Sequence, residues 1–121
     1  MINKQLRIDI QKIPYILRKG HSFNSRLFIV KGLESNAKNN QYRIIVSKKL
    51  EKSAVKRNKI RRRIYESLRI NHHSTTQKPN LSLIFIPKKS ITYKNFQEID
   101  QEIAGILNQK DQIIHSHAKH Q

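Results

Sequence analysis

The chain has 121 residues, 36 % of them hydrophobic, and a formal net charge of +17 from 25 Lys and Arg against eight Asp and Glu. That length and apolar content suit one folded domain with its own core, while the lack of Cys excludes disulfides and thiolate metal sites. So one-sided a charge repels itself in the compact state unless a polyanion neutralises it, so nucleic acid is the expected partner; no apolar run reaches membrane-spanning length.

Residues 1–8 read as a loose basic lead-in without the apolar centre of a secretion signal, which together with the Cys-free composition predicts a cytoplasmic protein. From Asp9 to Lys19, Ile10, Ile13, Ile16 and Leu17 recur at helical spacing, with Pro14 in the first turn and Gly20 closing the helix where a left-handed backbone is tolerated. Phe23 to Lys31 and Tyr42 to Ser47 are rich in β-branched and aromatic residues and predict two strands, joined by a polar hairpin loop from Glu34 to Gln41. Ser53 is a predicted N-cap for a helix running to about Asn71, with Ile60, Ile64 and Leu68 as its apolar stripe. On that wheel Arg57 falls toward the buried side, while Lys59, Arg62, Glu66 and Arg69 face water. After a polar linker over 72–80, Leu81 to Ile86 is the most apolar strand, expected at the centre of a sheet and ended by Pro87. Asn95 to Leu107 predicts a second amphipathic helix, and Lys110 to Gln121 a flexible tail. The fold class expected is α+β, a small mixed α/β sandwich of a central sheet with about three helices, as one domain over 1–109 followed by a tail over 110–121.

The chemistry concentrates in one place. Seven of the twelve residues from Lys52 to Arg63 are Lys or Arg: Lys52, Lys56, Arg57, Lys59, Arg61, Arg62 and Arg63. A solvated helix face normally mixes signs, but here Glu51 and Glu66 only flank the run. A helix holds such charges in a fixed array, which is how phosphates are gripped. Asn58 within Arg57-Asn58-Lys59 adds a donor and an acceptor suited to a base edge or a 2′-OH.

Residues 46–66 resemble the signature of the bacterial ribonuclease P protein family. Val46-Ser47-Lys48-Lys49 is similar to the family's strand end, and Lys52, Ala54 and Val55 to its link, with Ser53 inserted. Arg57, Asn58, Ile60, Arg62 and Glu66 match its basic helix, with Lys59 and Arg61 as basic-for-basic replacements. Weaker likenesses cover Ile13 to Gly20, Arg26 to Val30, Leu81 to Pro87 and Phe96 to Leu107. Three positions depart from the pattern: Ile13 stands where Phe is usual, Arg43 where many members have Gly, and Tyr65 where Arg is usual. The Arg43 departure suggests a locally altered strand.

The resemblance implies a ribonuclease P protein-like RNA-binding domain with a left-handed βαβ crossover. It implies the protein subunit of a tRNA 5′-processing endoribonuclease, an RNA enzyme that removes the 5′ leader of precursor tRNA. The RNA subunit would do the cutting with its own Mg²⁺, so the chain carries no catalytic residue, metal or cofactor of its own. Its expected partners are that RNA, one protein per RNA, and precursor tRNA, with no membrane involved. The RNA-binding set would be Lys48, Lys49, Lys52, Lys56, Arg57, Asn58, Lys59, Arg61, Arg62 and Arg63. The cleft between the first helix and the sheet would take the single-stranded leader, with Tyr15, Phe23, Phe28 and Tyr42 as candidate stacking platforms, for each of which core packing is the competing reading. Two rivals are a small ribosomal or structural rRNA-binding protein and a protein-only nuclease built on Glu98, Asp100 and Glu102. His115, His117 and His120 lie in the tail, where nothing fixes the geometry that a metal site needs, and His72-His73 are expected at a helix end, where their charge favours the dipole.

Overall fold

The computed structural model describes residues 4–72, 79–109 and 113. The Asp9 carboxylate accepts the Gln11 N–H at 3.4 Å and opens a short 3₁₀ turn over Ile10–Lys12, which runs into helix α1, Ile13–Lys19. Pro14 lies in its first turn, as the spacing predicts. The role assigned to Gly20 needs correcting: its backbone is extended, with φ −68° and ψ 153°. Glycine is required there for space, because a Cβ would lie 2.5 Å from the Ile16 carbonyl oxygen, which already accepts the Gly20 N–H at 2.7 Å.

The run Phe23 to Lys31 is two strands rather than one. Strands β1, His21–Asn24, and β2, Phe28–Glu34, pair antiparallel as a hairpin. Ser25 makes the reversal: its N–H donates to the Phe28 carbonyl at 2.8 Å and its Oγ accepts the Phe28 N–H at 3.0 Å. Side-chain bonds local to the backbone favour a turn over a continuing strand.

The expected pairing across Glu34 to Gln41 is also corrected. Strand β3, Gln41–Ile44, does not pair with β2; strand β4, Leu81–Pro87, lies between them, in the order β1-β2-β4-β3. β4 runs antiparallel to β2 and parallel to β3. Every residue from Leu81 to Phe85 is buried, and a strand apolar on both faces belongs at a sheet centre. The segment from Glu34 to Gln41 therefore passes the end of β4, where Ser35 N–H donates to Asn80 O and Leu81 N–H to Asn40 Oδ1. Nor is β3 locally altered at Arg43, which pairs with Ile84 in unbroken register. The expected loose lead-in joins the sheet as well: Arg7 bridges Tyr42, Ile8 N–H donates to Tyr42 O at 3.0 Å, and Ile8 is buried. It covers a backbone edge that β3 would otherwise expose.

Helix α2, Ala54–Asn71, starts at Ser53, whose Oγ accepts the Lys56 N–H. Helix α3, Phe96–Asn108, starts at a reciprocal cap between Asn95 and Glu98. Both pack on the sheet face that carries Phe28, Val30, Tyr42, Ile44, Leu83 and Phe85. Helix α1 covers the other face, where Ile8, Ile16 and Ile84 form a smaller cluster. The result is an α+β sandwich whose β3–α2–β4 passage is a parallel crossover.

The predicted stripe on α2 is too narrow. Tyr65 and Ser67 are buried beside Ile64 and Leu68 because α3 lies against that flank. Ser67 Oγ donates to Asp100 Oδ1 at 2.6 Å, and Asn71 Nδ2 to the same oxygen at 2.9 Å. Among the described residues no helix is long and apolar enough to cross a membrane. His73, His115, His117, His120 and the expected tail over 110–121, Ile113 excepted, lie outside the described residues.

Candidate nucleic-acid interface

Helix α2 carries the cationic row. Lys52, Lys56, Asn58, Lys59 and Arg62 are exposed; Arg57, Arg61 and Arg63 are half-buried. Lys48 and Lys49 are exposed in the turn that follows Val46, where Ser47 Oγ accepts the Leu50 N–H. The turn after the strand and the helix thus both present exposed cations, joined by the short link 50–53.

Within this set the side chains divide by task. Arg57 Nη1 donates to the carbonyl oxygens of Glu51 at 3.0 Å and Lys52 at 2.9 Å. This confirms its inward lean and ties the link to the first turn of α2. Arg61 Nη1 donates to Asn58 Oδ1, which leaves the N–H donors of the exposed Asn58 amide unused among the described residues. Among the described residues, Lys48, Lys49, Lys52, Lys56, Lys59, Arg62 and Arg63 have no acidic partner. Compensation begins only past the row, where Arg69 grips both oxygens of Glu66. That hydrogen-bonded ion pair holds the Glu66 carboxyl below the usual carboxylate range and the Arg69 guanidinium above its own.

The stacking candidates separate by strand parity. Phe28 and Tyr42 are wholly buried in the main core: Phe28 meets Phe85 edge-on at 5.4 Å, and the Tyr42 hydroxyl bonds His72 Nδ1 at 3.2 Å. They are core residues, which corrects their reading as platforms. Phe23 opposes Val30 and packs half-buried against the same core. Successive strand residues face opposite ways, so all three point away from α1. Tyr15 alone lies on the α1 side; it is 54 % exposed, with the Arg18 guanidinium 5.8 Å from its ring centre.

The face beneath α1 instead carries the alternate residues, among them Ile29, Lys31, Arg43, Ile45 and Ile86. Beside it, Lys4, Arg7, Lys12, Gln41 and Arg43 line an open cleft. Sequence reading missed these residues. Period-two alternation counted from Phe28 and Tyr42 would have found Lys31 and Arg43.

The α3 acids are spent on structure. Glu98 accepts the Asn95 N–H and pairs with Lys94; Asp100 clasps Ser67 and Asn71; Glu102 accepts the Leu27 N–H at 3.2 Å and faces Arg26. No three carboxylates converge among the described residues, as hydrolysis on two protein-held metals requires.

The sequence model for a family described as Ribonuclease P matches residues 3–111. A ribonuclease P protein component from Rickettsia canadensis is 37 % identical, with 80 % of this chain and 89 % of the relative covered. One from Clostridium botulinum strain Loch Maree is 30 % identical, covering 80 % and 86 %. Among solved structures, the ribonuclease P protein of Staphylococcus aureus superposes with a TM-score of 0.72 at 28 % identity, covering 90 % of this chain and 97 % of that one. The Thermotoga maritima protein, 20 % identical over 84 % and 94 % of the two chains, shares the fold with a TM-score of 0.73.

Proposed function

The chain belongs to the ribonuclease P protein family, and we propose that it is the protein subunit that docks on a catalytic RNA and helps it remove the 5′ leader of precursor tRNA. The observation that carries this reading is the row of acid-free cations on α2 and the preceding turn, which meets a folded RNA as a preformed phosphate-binding strip. The cut itself belongs to the RNA and its Mg²⁺, and the protein contributes positioning and charge neutralisation. One protein serves one RNA, in the cytoplasm.

The leader lies on the other side of the sheet, along the cleft of Arg7, Lys12, Gln41 and Arg43 beside α1; Tyr15 lines a neighbouring cleft that shares Lys12 and Gln41 with it. Such a site holds a single strand by phosphate contacts and tolerates any sequence. The two surfaces use opposite faces of one sheet, so both RNAs bind at once without competing.

The test mixes this protein with a bacterial ribonuclease P RNA and a precursor tRNA at low Mg²⁺. Leader removal faster than with the RNA alone is expected. No stimulation, with the protein shown folded, rejects the reading; cleavage by the protein without RNA rejects it too.

A further inference from the structure

We propose that the furrow between α2 and the 3₁₀ turn Lys89–Tyr93 is a pocket for one unpaired nucleotide of the RNA subunit, with its base stacked on Tyr93 and its phosphates held by Lys56, Lys59, Arg63 and Lys89. This rests on the RNA-docking reading above and extends it to a second element that the basic-helix motif does not include.

The Tyr93 ring is 82 % exposed, the most exposed large hydrophobic or aromatic side chain among the described residues. A lone exposed ring is ordinary on a protein surface, so what marks this one is its setting, a flat face beside cations and an apolar floor, which is how a base-stacking platform is built. It stands at the rim of a furrow of about 530 Å³, within the size range of small-ligand clefts. The floor is apolar, with Ile91 only 2 % exposed. The walls are cationic, from Lys56, Lys59 and Arg63 on one side and Lys89 on the other. Glu51 also lines the furrow, but its Oε2 already accepts the Ser53 N–H at 3.1 Å. A flat exposed ring, an apolar floor and four ammonium or guanidinium groups together match a base joined to phosphates. An apolar peptide would leave the cations unpaired, and a duplex would keep its bases inside the stack. The turn is held rigidly enough to serve: Ile91 N–H donates to Lys88 O, and Lys94 N–H to Ile91 O.

The experiment measures binding of the full chain to a bacterial ribonuclease P RNA by filter titration over a range of salt. Tyr93→Ala is expected to weaken binding roughly ten-fold, the worth of one base–aromatic stack, with the slope against salt unchanged. Tyr93→Phe keeps the ring and is expected to bind as the parent does. Lys89→Ala is expected to flatten the salt slope by about one unit. Circular dichroism checks that each variant is folded, and the exposure of Tyr93 favours this. If Tyr93→Ala binds as tightly as the parent while Arg62→Ala weakens binding, the pocket is wrong and the docking reading stands. If neither variant alters affinity, the docking reading fails and the pocket fails with it.

Discussion

Arg57 and Arg62 sit five positions apart in one cationic helix, yet they do different work. Arg57 gives two hydrogen bonds to backbone carbonyls, whereas Arg62 is exposed and has no acidic partner among the described residues. Replacing Arg57 with Ala is therefore expected to cost about 1–2 kcal/mol of folding stability as well as RNA affinity. Arg62→Ala is expected to leave stability within about 0.5 kcal/mol while weakening RNA binding and lowering the salt slope by about one. Denaturant titration beside filter binding separates the two, and equal destabilisation by both variants contradicts this division. The motif 57–59 was visible in the sequence, and so was the inward lean of Arg57 on the helical wheel. What Arg57 leans against was not, because its acceptors are carbonyls of a link with no periodicity of its own. Tyr93 was invisible for a related reason: a lone Tyr in a polar turn carries no pattern.

Among the elements, α2 matters most, and its first turn depends on one hydroxyl. Ser53 Oγ satisfies the Lys56 N–H, and Ser53→Ala is expected to cost about 1 kcal/mol and to fray the turn that presents Lys56, Arg57 and Asn58. Amide exchange in residues 54–58 is expected to speed up, with RNA binding falling although no cation has been removed; unchanged exchange there counts against the cap. The bounds of α2 and α3 were legible because caps and 3.6-residue periodicity are local. The strand pairing was not. Ser25 turns Phe23 to Lys31 into a hairpin, and β4 enters between β2 and β3, because the doubly apolar Leu81–Phe85 run gains most from burial on both faces. The parity that sends Phe23, Phe28 and Tyr42 to the core also brings Lys31 and Arg43 to the α1 face.

At the scale of the molecule, a net charge of +17 on 121 residues sets the energetics. Folding brings like charges together, so an anion that gathers on the basic surface stabilises the native state by binding it in preference to the unfolded chain. The melting temperature is expected to rise by several degrees on adding millimolar phosphate at constant ionic strength, and further with a bacterial ribonuclease P RNA. A melting temperature indifferent to both indicates that the charge is dispersed rather than gathered into a site. The Glu66–Arg69 pair adds a small dependence on pH. Its depressed carboxyl favours the fold at neutral pH, and that contribution is lost as the pH falls through the folded-state value. By itself the sequence determined the main helices, the basic run, the expectation of a polyanion partner and the resemblance that the comparisons bear out, since each is written in residues close along the chain. Only the tertiary structure decided the strand order, the covered β3 edge, the face each aromatic takes and the meeting of Tyr93 with α2. Those depend on which distant apolar surfaces bury one another, and short-range periodicity does not encode that choice.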